Sequence, residues 1–452
     1  MVTINASAVK FSNYIPLYKS NLHLAFPVIL SQIGQVTVSL ADNMMVGHVG
    51  TVELAAAAFS INIFHIGMLM GIGITMGITP LVGNVYSQKK EQEVGEYLKN
   101  GLLVHMGTTV LIALVMGLLS VYLDRMGQPE QVVTKAIPYY LLLVASLLPM
   151  LLFMSFKQFL EGVGNTKIAM YITLTANLLN IALNYVLIYG KFGAPALGLN
   201  GAGIATLISR ILMPILLIPF VLKNKQFKRE FRIAYHARIK LKKLKELFAV
   251  GLPIGLQIIV EVSTFSFGAI MMGWISKEAL AAHQVAIGLA SFTYMISLGV
   301  GAGTTILVSH ARGANDKLQL RRSIYSSFHL VVLFMGIMAI LFVLFRHQFP
   351  LLFTNDPAVI TIAANLLIVA ALFQIFDGVQ VILLASLRGM SDVKYPMFMA
   401  FISYMILGLP ISYLLGVILK FGAVGVWGGF LSGLGFAALL FSLRLKRHIR
   451  FD

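Results

Sequence analysis

The chain has 452 residues, of which 58% are hydrophobic and only 11% charged, whereas a soluble domain carries about 25% charged. A soluble fold of this length still needs a polar exterior, so the composition excludes one and makes the bilayer the solvent. A net charge of +17 raises the question of a nucleic-acid partner, and the lack of cysteine excludes disulfides, thiolate metal sites and cysteine catalysis.

Residues 1–20 are mixed and polar, with Lys10 and Lys19 and no apolar core ahead of a small-residue cleavage site, so no secretory signal is expected. Hydropathy then predicts twelve spans: 22–46, 54–82, 98–122, 134–155, 167–189, 198–222, 248–273, 280–308, 324–346, 358–386, 395–419 and 422–443. Their apolar runs approach or reach the length needed to cross about 30 Å of hydrocarbon. The runs are continuous and lack the alternation of lipid-facing strands, so the spans are helices. Alternate connections, counted with both termini, hold 27 of the 34 Lys and Arg residues. The opposite set holds six (Arg125, Lys135, Lys191, Lys277, Arg346 and Lys420), and Arg210 lies within a span. That asymmetry supports an even span count in a multi-pass chain with both termini in the cytoplasm. The basic loops then face anionic lipid, and no nucleic-acid partner is expected.

The longest polar stretch, 223–247, falls close to the midpoint and reads as a basic cytoplasmic linker. It divides the chain into an N-terminal six-helix lobe, 1–222, and a C-terminal one, 248–452. A shift of 226 residues aligns Pro27 with Pro253, Gly47 with Gly273, Gly73 with Gly299 and Gly77 with Gly303, without a gap. Further on, a shift of 227 pairs Gly162 with Gly389 and Gly201 with Gly428. The fold class is therefore all-α integral membrane, with twelve transmembrane helices in two six-helix lobes. Six spans is an even number, so the repeat is parallel about an axis along the membrane normal.

Three carboxylates interrupt the apolar spans: Asp42, Glu261 and Asp377. A charge at that depth costs at least about 2.5–3.5 kcal/mol, so each is a functional candidate. Gln257, Glu261 and Thr264 share one face of the seventh span, and Gln374 and Gln380 flank Asp377 at helical spacing. Asp42 ends the stripe Gln32, Gln35, Ser39 on the first span, and the fifth span carries Asn177, Asn180 and Asn184 on one face. These oxygen-rich sets, without cysteine or clustered histidine, suit Na⁺ or H⁺ rather than soft transition metals. Pro27 and Pro253, early in the first and seventh spans, are kink sites. The pairs Gly67/Gly71, Gly73/Gly77 and Gly299/Gly303 read as close-packing faces. No Walker A loop, H-E-x-x-H or nucleophile elbow is present, so neither ATP drive nor an enzyme is supported.

The run Ala41-Asp42-Asn43-Met44-Met45-Val46-Gly47 follows Pro27, and Gly162-Val163-Gly164-Asn165-Thr166-Lys167 precedes the fifth span. With Gly251-Leu252-Pro253, Glu261, His283-Gln284, Asp377 and Arg388-Gly389, they make the chain resemble the multidrug and toxic compound extrusion (MATE) transporters, NorM-type branch. The resemblance covers nearly the whole chain. It implies antiport, in which a cation gradient, often Na⁺, drives export of organic cations and amphipathic drugs. No further cofactor is implied, and the chain is expected to act as a monomer in the bilayer. Carried over by position, Glu261 and Asp377 match the second-lobe cation site, with Gln257 beside them; these are the Na⁺ candidates. Asp42, Asn180 and Asn184, with Thr206 on the sixth span, match the first-lobe constellation. That branch often carries Tyr one turn before the tenth-span Asp, where this chain has Phe373, so a hydroxyl ligand is missing and Na⁺ and H⁺ both stay open. The wider superfamily also holds flippases of lipid-linked substrates, which need a cavity lined with Arg and Lys for phosphates.

Overall fold

In a backbone surrounded by hydrocarbon every N–H and C=O must find a partner within its own segment, and this sequence meets that demand with helices throughout. The computed structural model describes residues 14–451, so Lys10 and most of the expected signal-free leader lie outside the described residues. In chain order the helices are α1 (Ile15–Gly47), α2 (Thr51–Thr75), α3 (Ile78–Ser87), α4 (Glu91–Leu119), α5 (Glu130–Gly162), α6 (Lys167–Tyr189) and α7 (Gly198–Lys223). They continue as α8 (Lys225–His236), α9 (Leu241–Ile275), α10 (Lys277–Gly313), α11 (Lys317–Leu344), α12 (Pro357–Gly389), α13 (Lys394–Phe401), α14 (Leu409–Tyr413) and α15 (Gly422–Phe451). Among the described residues twelve helical stretches are long and apolar enough to cross a bilayer, one for each span expected from hydropathy. Their outward faces remain apolar: on α4, Leu111, Leu114 and Leu118 are 62%, 61% and 68% exposed at i, i+3 and i+7. Such a stripe on a helix of spanning length is what a lipid-facing surface requires.

The described residues form two compact units, one of residues 30–255 and one of residues 256–452 together with the chain up to Ile29. The first is built around α5, where Tyr140, Leu147 and Leu151 pack with Phe64 of α2 and Met116 of α4. The second centres on α12 and α15, where Leu366 and Leu367 pack with Trp427 and Phe441. These packing units differ from the expected lobes, 1–222 and 248–452, because α1 and α9 are each divided between them. Pro27 and Pro253 lie just ahead of the two crossing points, Ile29/Leu30 and Gly255/Leu256.

The glycine pairs explain how each half-helix is held. A Cβ on Gly73 of α2 would strike the backbone of Gly255 on α9, and one on Gly77 would lie 2.8 Å from the Gly251 Cα. In the other unit a Cβ on Gly303 of α10 would lie 3.1 Å from the backbone oxygen of Asn21 on α1, and one on Gly299 would lie 3.1 Å from that of Ala25. The same glycine motif thus seats the amino-terminal half of α9 in one unit and of α1 in the other. Gly67 and Gly71 face Met116 and Leu151 instead. Because Gly73 meets backbone that cannot rotate away, Gly73→Val should lower the thermal unfolding temperature of the purified protein sharply, at the upper end of the ~1–3 kcal/mol typical of overpacking. Gly107→Ala, with open space around it, should be silent, and equal melting curves for the two variants would refute the close-packing account.

The linker is more ordered than its composition suggests. Phe227, Phe231 and Ala234 form the inward face of α8, with Phe231 stacked on Phe156 at 5.6 Å, while Lys225, Lys228 and Arg232 point outward. Arg229 pairs with Glu91, and the buried Glu96 holds Lys240 at 2.6 Å and Lys243 at 3.0 Å. The charges that mark this stretch as a linker mask an apolar period of a little under four residues. The eleventh span is also irregular: α13 runs into a π-helical turn at Ile402–Gly408, then α14, then a second π turn at Leu414–Ile418. Single π turns widen the helix and re-aim side chains, often at functional sites.

Candidate cation-binding site

In the unit containing residues 256–452, four helical segments converge on the two acids expected from the sequence. The second half of α9 supplies Gln257, Glu261 and Thr264, α10 supplies Tyr294, α12 supplies Phe373, Asp377 and Arg388, and the π turn supplies Tyr404. Glu261 and Asp377 are only 8% and 5% exposed. Tyr294 donates its hydroxyl to Glu261 Oε1 at 3.3 Å, so the hydroxyl missing at position 373 reaches this site from another helix. Arg388 Nη2 donates to Gln257 Oε1 at 3.0 Å. Glu261, Asp377, Tyr294 and Tyr404 act on one another electrostatically, and Arg388 acts on Glu261 and Tyr294.

Phe373 itself is buried in the aromatic core, edge-on to Phe265 at 6.0 Å and 5.3 Å from Trp427. His283 belongs to the same core, accepting from Trp427 Nε1 at 3.1 Å when its Nδ1 is unprotonated. Gln374 turns away and donates to the Met335 carbonyl of α11.

Two other buried acids, Glu96 and Glu161, differ from this pair. Glu96 has two lysines, and Glu161 lies 3.9 Å from Lys157 on α5. Among the described residues neither Glu261 nor Asp377 has a direct ion-pair partner. Gln257 Nε2, Arg388 Nε, Tyr404 Oη and both polar atoms of Gln380 are buried without hydrogen-bond partners. A buried polar atom left unsatisfied costs about 1–3 kcal/mol, so this cluster is arranged for something polar to enter it. The donor set is two carboxylates with hydroxyl and amide groups, hard oxygens that fit H⁺ or Na⁺. No cluster of three or more His, Cys, Asp or Glu suited to a metal ion occurs among the described residues.

The first-lobe constellation assembles within residues 30–255. Asn184 Nδ2 donates to Asp42 Oδ1 and lies 3.2 Å from Asn180 Oδ1; Asn180 Nδ2 is 3.5 Å from the Thr206 hydroxyl. Asp42, Asn184, Asn180 and Thr206 thus form one hydrogen-bonded chain across α1, α6 and α7. Ser39, expected on the same stripe, is exposed, and Asn177 is half-buried with its Nδ2 unpaired.

Sequence reasoning gave no site role to four participants, Tyr294, Tyr404, Arg388 and Arg210. Tyr294 carries no signal beyond being a tyrosine in a long apolar helix. Arg388, marked in the sequence only by the Arg388-Gly389 motif, closes the last turn of α12, inside a span. Arg210 was visible as a lone basic residue, and its position four residues after Thr206 was the clue to its company.

The MatE family signature matches residues 27–186 and 253–414, two matches that open on the paired prolines. The chain belongs to the MatE family. It is 33% identical over 432 residues to the multidrug resistance protein NorM of Vibrio cholerae, covering 94% of each chain. It is 32% identical over 436 residues to a probable multidrug resistance protein NorM of Mannheimia succiniciproducens, covering 95% of this chain and 93% of that one. Among solved structures, the Vibrio cholerae MATE transporter VcmN in its bent form superposes with a TM-score of 0.88 at 19% identity, over 97% of this chain and 98% of that one. The eukaryotic MATE transporter AtDTX14 gives 0.85 at 20% identity over 96% of each. At those identities the structures speak to the fold.

Proposed function

We propose that this protein is a cation-coupled antiporter that exports organic cations and amphipathic drugs by alternating access. The observation that carries the reading is the Glu261–Asp377 pair: two buried acids without a direct ion-pair partner, among unsatisfied buried polar atoms. The multidrug resistance relatives supply the substrate class. H⁺ or Na⁺ is the coupling ion, since a proton removes the charge that a bound cation would neutralise and the two compete for the same oxygens. The protein works as a monomer in a bacterial inner membrane with both termini cytoplasmic, as the basic loops direct. A lipid-linked flippase is not favoured, because Arg388 and Arg210, the guanidiniums that accompany the two acidic sites, are engaged by Gln257 and Ser146.

The test is efflux of a fluorescent organic cation from energised vesicles. An imposed Na⁺ or H⁺ gradient should drive export that collapses when that gradient is dissipated. Export indifferent to both gradients refutes coupled antiport.

A further inference from the structure

We propose that Arg210 is the resident counter-ion of Asp42, so that the acidic site in residues 30–255 is already neutral and refuses the metal cation that the Glu261–Asp377 site accepts. This rests on the reading of the chain as a cation-coupled transporter.

Arg210 lies one helical turn after Thr206 on α7, on the same face. Thr206 ends the hydrogen-bonded chain that begins at Asp42. From there the guanidinium is pinned twice: Nη1 donates to the fully buried Ser146 hydroxyl at 2.7 Å, and the group sits 5.3 Å over the Phe64 ring. It acts electrostatically on Asp42 and on Tyr139 of α5 without closing to a direct ion pair.

Charge decides what each site can take. In a poorly screened interior an uncompensated charge is expensive, and a site gains most from a ligand that cancels it. Asp42 and Arg210 cancel. Glu261, Asp377 and Arg388, with both acids ionised, leave one negative charge, which a single monovalent cation neutralises. Neither guanidinium is a relic of the repeat. The shift that pairs Gly201 with Gly428 sets Arg210 against Ala437, and the one that pairs Gly162 with Gly389 sets Arg388 against Glu161. Each is local to its own acid, and only the second unit has an acid to spare.

Equilibrium binding of radioactive Na⁺ to the purified full chain tests the assignment. R210M and R210Q should each add one bound Na⁺ per chain over wild type, and D42N/R210M should lose that addition. D42N alone should leave the wild-type count unchanged. The proposal is overturned if folded R210M and R210Q keep the wild-type count, or if D42N alone lowers it. The D42N result stands even where the arginine variants do not fold, and R210Q keeps a donor for Ser146. The E261Q/D377N variant separates the two readings: a wild-type Na⁺ that survives it sinks the Glu261–Asp377 site, whatever Arg210 does.

Discussion

E261Q and D377N should each abolish gradient-driven efflux while the protein remains inserted and folded. Each acid is buried in the wall of the site, and the amide that replaces it fills the same space while relieving the cost of a charge at that depth. Stability is therefore preserved where coupling is lost. Removing one partner of a buried charge pair costs about 2–5 kcal/mol, and about 1.4 kcal/mol is a factor of ten. Cation affinity should fall by roughly thirtyfold or more, beyond the range of an ordinary gradient experiment. The measurement is initial efflux rate at equal amounts of monodisperse protein. Full transport by the E261Q/D377N double variant would remove the site from the mechanism.

The second large effect is on drug affinity. Antiport requires the ion to favour one access state and the drug the other, because a ligand with equal affinity for both states shifts nothing. Added coupling ion should therefore weaken equilibrium binding of a cationic drug by about 5–150-fold, the usual range of coupling between sites. E261Q should flatten that dependence. Drug affinity measured across a Na⁺ series at fixed pH, and across a pH series without Na⁺, identifies the ion. Indifference of the wild type to both series would make a uniporter the better account.

The spans and acids were legible in the sequence for one reason: in an apolar helix a carboxylate stands out against a uniform background, as Asp42, Glu261 and Asp377 do. Spacing along one helix also gathered Asn180 with Asn184 and Gln257 with Glu261. What spacing cannot supply is the partner from another helix. Tyr294 reaches Glu261 from thirty-three residues away, and Arg388 meets Gln257 across 131. The helix α8 was hidden because the lysines and arginines around it drown the three inward apolar positions that order it. The division of α1 and α9 between packing units was hidden for a different reason. Hydropathy reads a continuous apolar run as one object, and nothing in it records that the two ends are packed by different neighbours.

That division has a consequence for how the chain can be taken apart. The linker is the obvious place to cut, since it separates the two repeats. A cut there yields one fragment carrying the first half of α1 without α10, whose Gly299 and Gly303 it fits, and another carrying the first half of α9 without Gly73 of α2 and Gly77 just ahead of α3, which receive it. Each fragment therefore keeps an orphan half-helix and lacks a half-helix of its own core. The repeats are separable as sequence and inseparable as folded objects; only together do two six-helix pieces become two complete bundles.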